Sequence, residues 1–64
     1  MIEEITDIIL KYAKVKRDYA EQIAKKVALN PSDYNYVYDV LLKHFPPVNA
    51  SYIAYEVYMK CLEK

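Results

Sequence analysis

Apolar residues recur at helical spacing along nearly all of this chain, and that periodicity restricts the fold to packed helices. Ile2, Ile5, Ile8, Ile9 and Tyr12 fall at helical spacing, and Glu3 and Glu4 lie in the first turn, where acids favour the positive start of a helix. The same phase continues through Tyr19, Ala20, Ile23, Ala24 and Val27. Two arrangements follow: one long helix from Glu3 to Val27, or two helices with a break. Asp18-Tyr19-Ala20-Glu21 imitates a capping box, and the weakly helical run Lys14-Val15-Lys16-Arg17 precedes it. These favour a break, with Asp18 starting the second helix.

A third helix is expected from Asn30-Pro31, because Asn caps well, Pro suits the first helical position and Asp33 lies near the positive end. Tyr34, Val37, Tyr38, Leu41, Leu42 and Phe45 then form a buried stripe, with Asn35, Tyr36, Asp39, Val40 and Lys43 opposite. Pro46 and Pro47 end that helix, and Asn49 or Ser51 caps a fourth. No segment reads as a strand. The expected fold class is all-α, a compact four-helix single domain over residues 1–64, with helices at about 3–14, 18–28, 31–45 and 50–62.

Size makes such a domain marginal, since a chain of 64 residues buries only about 60% of its unfolded surface. No disulfide supports it, because Cys61 is the sole cysteine, and the sole histidine, His44, argues against a metal site. Oligomerisation or a partner is the remaining support. The acidic, charge-interrupted start is unlike a secretory leader, and no run approaches the roughly 20 apolar residues of a membrane span. A cytoplasmic location is therefore expected. The absence of glycine, a single Gln and abundant Ile, Lys, Glu and Tyr lean toward a thermophile.

Net charge is zero but uneven. Lys11, Lys14, Lys16, Arg17, Lys25 and Lys26 crowd one segment against Asp18 and Glu21, between a more acidic start and a balanced end. Such asymmetry marks either a phosphate-facing strip or a solvated face.

The run AEQIAKKVALNPSDYNYVYD, Ala20 to Asp39, resembles the helix-turn-helix of DNA-binding proteins. Ala24 stands where that family keeps a small residue for close helix crossing, between the locking apolar residues Ile23, Val27, Leu29, Tyr34 and Val37. The resemblance covers roughly residues 8–45 and implies tri-helical rather than winged architecture, since Pro46 to Ser51 is too short for a two-stranded wing. Where the family usually turns on glycine this chain has Ala28, a mismatch of roughly 1 kcal/mol if φ is positive there.

The resemblance implies a double-stranded DNA partner, with Ser32, Asn35, Tyr36 and Asp39 toward base edges. Lys14, Lys16, Arg17, Lys25, Lys26 and Lys43 would contact phosphates. The alternative is a non-catalytic accessory subunit or protein-interaction module. Helix four suits either, because its apolar residues spread over roughly 220° of circumference, more than the about 100° that packing on one core requires. Tyr52, Tyr55, Tyr58, Met59 and Leu62 are the expected interface for a homodimer or protein partner. Catalysis finds no support: His44 suits a helix end, Cys61 lies among apolar neighbours, and no glycine loop or metal-ligand spacing exists. No cofactor is expected.

Overall fold

A computed structural model describes residues 1–63. Four helices, α1 (Ile2–Tyr12), α2 (Arg17–Val27), α3 (Tyr34–Leu42) and α4 (Pro47–Leu62), fold into an all-helical domain of 28 × 22 × 18 Å. Each helix packs on its chain neighbours and α4 closes the ring onto α1. The broadest pairings are α1 with α2 and α3 with α4.

The break between α1 and α2 is present, so the single long helix is excluded. Ala13 is extended at φ −139°, ψ 139°, which ends α1, while its N–H still bonds to the Ile9 carbonyl. The start of α2 differs from expectation. Lys16 is the N-cap, no side chain caps the helix, and Asp18 sits inside the first turn. There its charge favours the helix dipole without replacing a missing hydrogen bond.

Helix α3 starts later than Asn30-Pro31 suggested. Residues 30–32 make a turn, closed by the Asp33 N–H on the Asn30 carbonyl at 3.3 Å. Asp33 is the N-cap, and its carboxylate accepts from the Tyr36 N–H at 3.2 Å. Asp33, expected only as an acid near the positive helix end, is the cap in place of Asn30 because its carboxylate reaches a free N–H. The prolines also act differently: α3 ends at Leu42, short of the expected 45, and residues 43–45 turn before Pro46, which is the N-cap of α4, with Pro47 in its first turn. Asn49 is thereby inside α4, and its amide donates to the Tyr12 carbonyl at 2.8 Å, across to α1. Ser51 likewise does not cap, its hydroxyl donating to the Val48 carbonyl.

The core draws Ile5, Ile8 and Ile9 from α1, Ala20, Ile23, Ala24 and Val27 from α2, and Val37, Val40 and Leu41 from α3. Phe45 and, from α4, Ala50, Ile53, Ala54 and Val57 complete it. Thr6 is fully buried, its hydroxyl satisfied by the Ile2 carbonyl at 2.8 Å. The buried face of α3 is rotated from the expected stripe: Val40 turns inward, Leu42 is exposed, and Tyr34 and Tyr38 are half-buried. Contacts with both α2 and α4 set this rotation, which one-helix periodicity does not encode. No described residue has positive φ, and Ala28 is right-handed at φ −67°, ψ −12°. The cost expected for a missing turn glycine does not arise.

Candidate interaction surfaces

The outer side of α4 carries the main apolar exposure. Val48, Tyr52, Tyr55 and Leu62 are 64%, 56%, 56% and 60% exposed, and Met59 is also open to solvent. At 100° per residue these five fall within an arc of about 80°. The core residues Ala50, Ile53, Ala54 and Val57 lie on the other side of the helix. Four of the five expected interface residues thus share one stripe. Tyr58 does not; it is half-buried with its ring edge-on to Tyr34 at 6.4 Å, and Tyr34 stacks on Tyr38. Val48 was not anticipated. Its signal was present, since it lies four residues before Tyr52, but the expected helix began after it.

One flank of the stripe is pinned to α1. The Tyr12 and Tyr52 rings stack at 5.7 Å, the Tyr12 hydroxyl donates to the Glu56 carboxylate, and Lys11 Nζ lies 3.0 Å from Glu56 Oε2. The hydrogen bond from Tyr12, with the Lys11 ammonium beside it, holds the Glu56 carboxyl below its ordinary 4.5, although burial opposes this. Hydrogen bonding to Glu56 raises Lys11 and Tyr12 above their ordinary values.

This cluster gives a pH dependence of defined sign. A depressed carboxyl stabilises the fold fully above its unfolded value and loses that contribution as pH falls through the folded one. Wild type is therefore expected to lose melting temperature from about pH 4.5 downward more steeply than Glu56→Gln. The two should differ at neutral pH and converge in acid. Parallel melting curves across that range would contradict the role given to Glu56.

The expected phosphate contacts are dispersed. Lys14 and Lys16 are exposed between α1 and α2, while Lys25 and Lys26 are exposed at the far end of α2, where they favour the helix dipole. Arg17 Nη2 donates to Asp7 Oδ1 at 2.8 Å, so its charge is matched within the domain. At the start of α3, Ser32 and Asn35 are exposed beside Asp33, and Asp39 is exposed one turn on. Tyr36 is half-buried, its hydroxyl donating to the Lys26 carbonyl at 2.7 Å, a tie between α2 and α3. Lys43 caps the other end of α3 and is exposed.

A third feature was not read from the sequence. Tyr19, Gln22, Ile23, Lys26 and His44 line a shallow cleft of about 220 Å³. The Tyr19 hydroxyl lies 2.9 Å from His44 Nδ1 with the rings edge-to-face, so His44 joins the end of α3 to α2. Cys61 is a half-buried free thiol. Among the described residues no helix is long and apolar enough to cross a membrane. No family model matches the sequence, and comparison with curated proteins and solved structures returns no significant similarity.

Proposed function

We propose that the chain is a non-catalytic binding module whose docking face is the outer side of α4, presented to a second copy or another helical protein. The observation that carries this reading is the exposed stripe Val48, Tyr52, Tyr55, Met59 and Leu62, set opposite the core. A contiguous apolar patch of this kind on a small domain marks an interaction site. Its two tyrosines suit contact, being large, rigid and tolerant of water. Pinning by Tyr12, Asn49 and Glu56 holds α4 before any partner arrives, which lowers the ordering cost of binding. A thiol reporter tests the face. With Cys61→Ser as background, Tyr55→Cys in dilute protein should react with a thiol reagent as fast as a free cysteine. Strong protection in dilute protein would mean that the chain covers the stripe itself, and the docking reading would fall.

Nucleic-acid binding is the second reading, favoured by one observation. Lys14, Lys16, Lys25 and Lys26 have no ion-pair partner among the described residues, and all lie on α2 or the segment leading into it. Helix α2 would lie along the backbone, while α3, with Asp33 exposed at its start and Asp39 exposed past its middle, would add little base discrimination. Replacing Lys14, Lys16, Lys25 and Lys26 with alanine is expected to flatten the log–log salt dependence of duplex binding by about three to four units. An unchanged slope would remove this reading.

A further inference from the structure

We infer that the occupant of the α4 stripe is a second copy of this chain, docked antiparallel about a two-fold axis at Tyr55. The inference rests on the docking reading above and names its partner. Val48, Tyr52, Tyr55, Met59 and Leu62 are separated by four, three, four and three residues. That alternation keeps a single seam of two helices in contact, over about 21 Å here.

A two-fold axis at Tyr55 sets Tyr52 opposite Met59 of the second copy, and Val48 opposite Leu62. Each Tyr52 ring then meets a thioether, a favourable contact, and the two ends pair a shorter with a longer aliphatic side chain. A parallel pair would set Tyr52 on Tyr52 and Met59 on Met59 and lose both sulfur–ring contacts. Charge at the seam is also compatible. Glu56 borders the stripe and would approach its own copy, but each Glu56 brings the Lys11 ammonium 3.0 Å away and the Tyr12 hydroxyl.

The area fits a reversible dimer. From their fractional exposures the five residues offer roughly 500–600 Å² per copy if wholly covered, or about 1,000–1,200 Å² for the pair, at the lower edge of specific interfaces. The stripe gathers five of the nine large apolar side chains exposed among the described residues, and a 64-residue chain without a disulfide gains stability by burying it.

Sedimentation equilibrium from about micromolar to about millimolar concentration, with melting curves at the same concentrations, tests association. The expected result is a mass rising to twice that of the chain, with a melting temperature that rises alongside it. Tyr55→Glu should weaken association by at least about a hundredfold while helical content stays constant. Orientation is read by disulfide trapping in the Cys61→Ser background, which does not depend on the glutamate variant folding. Val48→Cys and Leu62→Cys chains should cross-link when mixed, and neither should cross-link with itself. Self-linking of Val48→Cys would show a parallel pair and overturn the arrangement. A monomer at every concentration, with Tyr55→Cys labelling fast, would overturn the second copy alone and leave the face to a different protein. A dimer untouched by Tyr55→Glu would place the interface elsewhere and overturn both readings.

Discussion

Ile53→Ala is expected to lower the melting temperature by roughly 15–25 °C, the larger of two core effects. Ile53 is fully buried at the middle of α4, the helix that closes the ring by packing on both α1 and α3. Truncation removes three carbons from a site with walls on several sides, so the loss combines transfer energy and a cavity, about 3–4 kcal/mol. A domain of this length has roughly 3–10 kcal/mol of stability in total. The substitution therefore consumes a large part of it, and chemical denaturation should show a lowered midpoint with a helical baseline that barely survives at ambient temperature. A fall of only a few degrees would mean that α4 does not seat Ile53 between its neighbours.

Ala24→Leu is expected to destabilise by about 2–3 kcal/mol, although leucine is the more hydrophobic residue and nearly as good a helix former. Ala20 and Ala24 are both fully buried, one turn apart on α2, where their small size lets α1 and α3 approach. Leucine there adds three carbons at a position with no exposed surface. The domain must separate its helices or force a strained rotamer, and either loses contacts elsewhere. The neighbouring exposed change Gln22→Leu serves as a control and should shift stability by no more than about 0.5 kcal/mol. If Ala24→Leu were neutral, the close approach of α2 to its neighbours would be wrong. Urea midpoints of the three proteins, with slopes compared for a constant exposed area, decide the matter.

The helical pattern made much of the core legible. Ile5, Ile8 and Ile9 on α1, and Ile23, Ala24 and Val27 on α2, lie inside as their spacing requires. The break at residues 13–16 was readable from the weakly helical run Lys14-Val15-Lys16-Arg17 and not from the apolar phase, which runs on into α2; the capping box that also favoured it does not form, since Lys16 and not Asp18 is the N-cap. Boundaries were less legible where two residues competed for one task. Asn30 and Asp33 both suit a cap, and only the turn at 30–32 decides between them. A proline pair reads as a stop, yet the fixed φ of proline is equally suited to a first turn, and Pro47 serves there. That misplacement hid Val48, and with it the end of the α4 stripe. Val40 and Leu42 exchanged sides because α3 is wedged between two helices, a tertiary constraint that no single-helix pattern carries. The Tyr12–Glu56 and Tyr19–His44 pairs join positions 44 and 25 residues apart, and neighbours in sequence give no sign of either.

Among the described residues the backbone is right-handed or extended throughout, as at Ala28, and this leaves the connecting segments free to vary. A fold that turns through left-handed residues anchors its loops to glycine or asparagine, because a β-carbon at those positions is strained. Here no turn makes that demand. The loops can drift in identity under selection, provided that Asp33 keeps a capping oxygen and the proline pair keeps its fixed dihedrals. Descendants of this sequence would then diverge fastest between the helices and hold a nearly invariant set of small and branched residues inside them. Kinship would be written in the spacing of alanines, isoleucines and valines, with the connecting letters almost free.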